Sequence, residues 1–242
     1  MALYNSPVSF MIGSFNGSDV YTPEDMPDID YLIITHNHWD HLDYKTVMKL
    51  KPQVGKVITG LGTAADLEYW GFDPKKITEL DWFEQTVPDT GFVVTATPGR
   101  HFNGRNTKRN QTLWCSFVLQ TPSKKIFIGG DSGYDTHFAK IGADYGPFDL
   151  ALLECGQYNK SWKYIHMMPE QTAQAAIDLK AKNLMPVHWG KFALSLHAWD
   201  EPIERVTKEA NRLSIPLVHP MIGETVDLDE FGPTTEWWKG IN

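Results

Sequence analysis

Cysteine is scarce in this 242-residue chain: Cys115 in TLWCSFVL and Cys155 in LLECGQ are the only two, and both sit inside apolar runs. That placement suits buried thiols in a reducing compartment and excludes a disulfide framework. Long apolar runs are missing too. No stretch approaches the roughly 18 apolar residues of a membrane-spanning helix. The N-terminal MALYNSPVSFMIGSFNG has neither a basic leader nor a long apolar core, so no signal peptide is expected. Positive charge is in deficit, with 22 Lys and Arg against 30 Asp and Glu and a net charge of −8. Such a balance argues against a nucleic-acid partner, whose binding needs basic groups to displace counterions, and fits a soluble protein of the cytoplasm. No low-complexity tract or repeat period is present, and no Ser/His/Asp arrangement offers itself as a nucleophile.

What remains is an ordinary globular composition, 42% hydrophobic and 21% charged. Runs rich in Val, Ile, Phe and Thr predict strands at DYLIIT (30–35), KVITG (56–60), GFVVTATP (91–98), TLWCSFVLQT (112–121), KIFIGG (125–130) and DLALLE (149–154). QTPSKK between two of them reads as a hairpin turn. Two helices are predicted. In PEQTAQAAIDLKAKN, Pro169 fits the first turn and Ala173, Ala176, Ile177 and Lys180 share a face. In EPIERVTKEANRLS, Ile203, Val206, Ala210 and Leu213 form an amphipathic stripe. Strands interleaved with helices imply a layered α/β fold. Without a linker-like break the chain reads as one domain over 1–242, opened by an irregular arm over 1–28.

The densest chemistry lies in THNHWDHLD (35–43), directly after an apolar strand. His36, His38, Asp40 and His41 are all metal-ligand types. A loop leaving a strand frees residues two apart from pointing to opposite faces, so His36 and His38 can aim at one ion while Asp40 and His41 aim at a second. Neutral imidazole and carboxylate suit zinc and leave positions open for water. Four ligands in six residues do not close a site, so others must come from afar. His101 after VVTATPGR, Asp131 after KIFIGG and His188 after NLMPV each follow an apolar run, where a rigid strand end projects a side chain into a shared cleft. Gly129 and Gly130 let the backbone come close before Asp131.

THNHWDHLD carries the His-x-His-x-Asp-His signature of the metallo-β-lactamase superfamily. With TPGRHFNGR, IGGDSGYDTHF, LLECGQYN, HMMPEQT and PVHWGKF behind it, the chain resembles bacterial relatives of N-acylphosphatidylethanolamine-hydrolysing phospholipase D, from about residue 28 to residue 226. The resemblance implies an αββα sandwich with the site at one edge. It assigns His36, His38 and His101 to one Zn²⁺ and Asp40, His41 and His188 to another, with Asp131 shared; Mn²⁺ and Fe²⁺ fit the same donors. It implies hydrolysis of a small-molecule or lipid phosphodiester by a metal-bridging hydroxide, with Asp40 holding the nucleophile's proton. It places His166, in WKYIHMMPE, at the active site as a substrate or acid/base residue. Ahead of a helix N-terminus, His166 and free backbone amides can receive a phosphate oxygen.

Around that set, Arg100, Arg105 and Lys191 are candidate anchors for an anionic substrate, and Trp39 is expected to line the cleft. His137 reads as a partner orienting a ligand or as plain packing, and His197 and His219 as structural. Trp237 and Trp238 are expected to pack on the domain, not at a membrane surface. The family usually opens with strands carrying a Gly-His-x-Ser/Thr turn, and nothing before DYLIIT matches it. The expected sheet therefore lacks its first strands, and the edge left free gives a route to a homo-oligomer. The alternatives kept open are a lactone or other ester hydrolase and a non-catalytic metal-binding module.

Overall fold

The computed structural model describes residues 14–105, 109–232 and 235–241. Of the N-terminal arm, residues 1–13 lie outside the described residues. The rest of it holds a single turn of 3₁₀ helix, Pro23–Asp25, and an isolated bridge from Ser14 to Phe192.

Two sheets form the frame. The first is parallel, in the order β1 (Ile29–Ile34), β2 (Val54–Gly60), β3 (Ile77–Leu80), and carries helices α1 (Tyr44–Leu50) and α2 (Ala64–Tyr69). The second has six strands in sequence order: β4 (Gln85–Asp89), β5 (Phe92–Pro98), β6 (Cys115–Gln120), β7 (Lys125–Ile128), β8 (Leu150–Glu154) and β9 (Leu184–Val187). Helices α3 (His137–Asp144), α4 (Pro169–Asp178) and α5 (Glu201–Leu213) cover its outer face.

Three apolar seams separate four layers. Strand alternation builds them: Phe117 faces the other sheet with Ile58, Leu80, Val94 and Ala96, while its neighbour Val118 faces the helices with Phe127, Phe138 and Ala176. On the far side Val47, Leu50 and Leu67 of the first two helices cover Ile34, Val54 and Val57. This is the αββα sandwich. Phe127 is fully buried against Phe138 and Phe148, and burying one such ring contributes about 1.5–3 kcal/mol. The expected QTPSKK hairpin forms, with the Thr121 hydroxyl accepting from the Ser123 and Lys124 amides.

In α4 the alanines face the sheet as expected, but Ile177 is 44% exposed and the buried face runs through Thr172, Ala173, Ala175 and Ala176. Trp238 is buried and Trp237 stacks on Trp189, so the C-terminal tail packs on the domain. No strand among the described residues pairs with the outer edge of β1. No helix among them is long and apolar enough to cross a membrane.

The topology decides where side chains can meet. β5 and β7 both run antiparallel to β6, so they point the same way, and β8 and β9 follow β7 in parallel. Four C-terminal strand ends thus share one rim. β1 ends there too, since the Thr35 carbonyl accepts from the Cys115 amide at the start of β6. Gly130 lets the sheets touch at that point: its φ is +62°, and a Cβ there would stand 2.9 Å from the Thr35 Cβ.

Candidate metal centre

The rim gathers donors from five strand ends. His36, His38, Asp40 and His41 leave β1; His101 follows β5, Asp131 follows β7, Glu154 is the last residue of β8, and His188 follows β9. The β1 loop is held from both ends. Asp43 caps α1 by accepting from the Lys45 and Thr46 amides, and Leu42 is fully buried. Arg105 donates to the carbonyls of Asn37 and Leu42 at 3.1 and 2.5 Å. Its guanidinium lies 4.1 Å from the Trp39 ring centroid and 4.7 Å from that of Trp70.

Ligand atoms converge in two groups that share one carboxylate, each spanning no more than 4.8 Å: His36, His38, His101 and Asp131; and Asp40, His41, Asp131 and His188. In the first, the His38 Nδ1 is 3.0 Å from both the His36 Nε2 and the His101 Nε2. The His101 Nδ1 donates to the Ile165 carbonyl at 2.9 Å, which leaves its Nε2 a bare lone pair. In the second, the Asp131 Oδ2 is 3.1 Å from the His41 Nε2, and the Asp40 Oδ2 lies 3.4 Å from the His41 Nε2 and 3.2 Å from the His188 Nε2.

These residues fit a metal pair. Buried polar atoms seldom go without a hydrogen bond, yet the His41 Nε2, the Asp131 Oδ1 and the His188 Nδ1 are all buried here without one. The donor set is imidazole and carboxylate throughout, as zinc, manganese and iron accept. His188 holds φ +67°, a left-handed backbone uncommon for a residue with a Cβ.

The two halves differ electrostatically. Burial pushes His36 well below the ordinary histidine range, His38 down to about 4, and His101 down as well, so all three are neutral donors at pH 7. Burial would do the same to His41 and His188. There, however, the carboxylates of Asp131 and Asp40 outweigh it, taking His41 up to about 10 and His188 well above its usual value. Asp131 is likewise disfavoured by burial, but His188 and His41 hold it well below the carboxylate range. The metal-free protein therefore carries protons on His41 and His188 at neutral pH, and an ion entering that half must displace them. Because those histidines are raised, uptake should tighten as pH rises toward 10. Calorimetry of zinc uptake in buffers of different ionisation enthalpy should show proton release, and pH-independent uptake would contradict this account.

Beside both groups lies a third cluster, Asp131, Glu154, His166 and His188. Glu154 is fully buried, and its Oε2 accepts from the His166 Nδ1 at 2.8 Å and stands 3.5 Å from the His188 Nδ1. Its Oε1 accepts from the amides of Ser132 and Met167, each at 3.1 Å. Burial would lower His166, but Glu154 and Asp131 outweigh it and raise it. In the sequence the one signal of Glu154 is an acid inside the apolar run LALLECG.

Other expected residues stand differently. Arg105 holds the loop that carries the histidines, and Trp39 stacks beneath it, away from the cavity wall. Lys191 lines the cavity but pairs with Asp19 at 2.7 Å, and Arg100 pairs with Asp135 at 2.8 Å. The amides ahead of α4 are not free for an anion, because those of Met167 and Met168 are taken by Glu154 and Gln171. The His137 Nε2 meets the Ser132 hydroxyl at 3.2 Å, next to Asp131 in the chain. His197 stacks on Tyr158 and His219 packs against Trp238. A cavity of about 560 Å³ opens on Asp40, His41, Asp131, Glu154 and His188 and continues along β1, at the edge that no described strand pairs.

Residues 14–189 match the family described as Beta-lactamase superfamily domain. An uncharacterized protein of Mycobacterium tuberculosis is 41% identical over 220 residues, which are 88% of this chain and 58% of that protein. The N-acyl-phosphatidylethanolamine-hydrolyzing phospholipase D 1 of Caenorhabditis elegans is 31% identical over 199 residues, 75% of this chain and 56% of that enzyme. This chain thus spans under two thirds of either relative. Among solved structures, Igni18, a metallo hydrolase from Ignicoccus hospitalis, aligns with a TM-score of 0.65 at 22% identity, covering 82% of this chain and 79% of that one.

Proposed function

This chain belongs to the beta-lactamase superfamily, and on that premise we propose that it is a metal-dependent hydrolase, working as one domain, that cleaves phosphodiesters of the N-acylphosphatidylethanolamine phospholipase D type. The observation that carries the reading is the convergence of seven donors into two groups around the shared Asp131. The C. elegans relative, an N-acyl-phosphatidylethanolamine-hydrolyzing phospholipase D, supports the substrate class.

In this reading His36, His38 and His101 hold one ion and Asp40, His41 and His188 the other, with Asp131 common to both; zinc is the metal proposed. When bound, such a pair of ions brings a water toward ionisation at neutral pH and offsets charge developing on the phosphoryl oxygens. The chain's own residues do the rest. The Asp40 carboxylate, which meets both His41 and His188, orients the attacking water by accepting its proton. His166 is 12% exposed at its side chain, and its Nε2 has no protein partner among the described residues. When the ring carries a second proton, that nitrogen is available to pass it to the leaving oxygen or to donate to a phosphoryl oxygen. Lys191 at the cavity wall is the remaining candidate for the substrate's anionic end.

Zinc-loaded protein offered N-acylphosphatidylethanolamine, a chromogenic phosphodiester and a lactone tests this. Turnover of the phosphodiesters above the lactone is expected. A preference for the lactone would assign the site to ester hydrolysis, and two bound ions without turnover of any would leave a metal-binding module.

A further inference from the structure

We propose that Glu154 is the positioning residue of this site, setting which nitrogen of His166 faces the substrate. The inference rests on the reading of His166 given above and concerns a side chain to which that reading assigns no part.

A fully buried carboxylate is costly unless its oxygens are satisfied, and Glu154 satisfies both with groups from the rim. Its Oε1 takes the amide following Asp131 and the amide following His166, those of Ser132 and Met167. Its Oε2 takes the His166 Nδ1 at 2.8 Å and faces the His188 Nδ1 at 3.5 Å. Its own carbonyl accepts from the Thr172 hydroxyl at 2.7 Å, which ties β8 to α4. One side chain thus joins the loops after β7 and β9 and the segment before α4. An ionised carboxylate only accepts, so the His166 Nδ1 must carry the proton directed at it. The working nitrogen is then Nε2 on the opposite side of the ring, and the carboxylate facing Nδ1 stabilises the imidazolium whose Nε2 proton goes to the leaving oxygen. The same Oε2 lies 3.5 Å from the His188 Nδ1, which makes no hydrogen bond, so its firm partner on that side is His166.

Glu154→Gln tests the proposal with almost no change of volume. The amide oxygen still accepts from Ser132 and Met167, but its NH₂ group now faces the His166 Nδ1, reverses the tautomer and opposes the imidazolium, so the ring no longer serves as a ready acid. Zinc-loaded Glu154→Gln is expected to keep wild-type metal content while kcat falls about 10²–10⁴-fold with KM changed less than about threefold, the size of effect seen when a carboxylate orienting a catalytic histidine is neutralised. In the His166→Ala background the same change should add less than about threefold, because Glu154 acts through His166. Long-range ¹H–¹⁵N spectra should show His166 of the wild-type protein protonated at Nδ1 and that of the variant at Nε2 only. A wild-type His166 protonated at Nε2 alone overturns the proposal without need of any variant. So does a Glu154→Gln protein that loses metal, which would make Glu154 a support of the ligands alone. If His166→Ala is itself fully active, the functional reading of His166 fails; if His166→Ala is impaired and Glu154→Gln is not, only the present inference fails.

Discussion

Asp131→Ala is expected to strip the protein of both metal ions. Wild-type protein purified without chelator should hold close to two transition-metal ions per chain. Asp131 is the one residue common to both donor groups, buried, with its Oδ2 3.9 Å from the His36 and His101 Nε2 atoms and 3.1 Å from the His41 Nε2. Its Oδ1 is 3.6 Å from the His188 Nδ1. Removing it takes a ligand from each half and leaves Asp40 as the one carboxylate that still faces both His41 and His188. Turnover should fall by about 10³-fold or more, since loss of a single preorganised stabilising group already costs 10²–10³-fold. Elemental analysis against protein concentration reads the metal directly. Two ions retained by Asp131→Ala would refute a shared ligand, and one tight ion indifferent to changes at Asp40, His41 or His188 would refute the dinuclear site.

The second large effect separates chemistry from coordination. His166→Ala should leave metal content intact and lower turnover about 10²–10⁴-fold, the range for loss of a general acid or base. The geometry supports the split, because the His166 Nδ1 is committed to Glu154 while its ring stacks beside His188 and edge-on to His101, with centroids 5.7 and 5.2 Å away. His36→Ala, by contrast, should lose metal and activity together. Were His166→Ala to release metal, His166 would belong among the ligands.

The histidine-rich stretch announced itself because four donors crowd six positions after an apolar strand. The distant donors were legible for a related reason: each follows a strand, and parallel strands bring their C-terminal ends to one rim. Elements that escaped the sequence reading are those with weak local signals. β9 is a partial case: the apolar run NLMPV places His188 at a strand end, although its four residues include Pro186, which argues against a central strand. β4, QTVPD, is a half-exposed edge rich in residues that disfavour strands. α1 and α2, of seven and six residues, are too short for a 3.6-residue period to show. Arg105 illustrates a different limit. An arginine near a histidine site suggests a substrate anchor, and only its partners, two backbone carbonyls and two indole rings, show that it holds the loop.

The spread of donors along the chain also bears on how the protein reaches its native state. His101 and His38 lie 63 residues apart, and His188 and Asp40 lie 148 apart, on loops anchored in different sheets. Closing such long loops costs chain entropy before any contact repays it, and contacts of high sequence separation are slow to form. A nascent or partly folded chain therefore presents the local cluster of His36, His38, Asp40 and His41 without the distant donors that complete either group. Tight metal capture belongs to the last stage of folding, after the two sheets have met at Thr35 and Gly130.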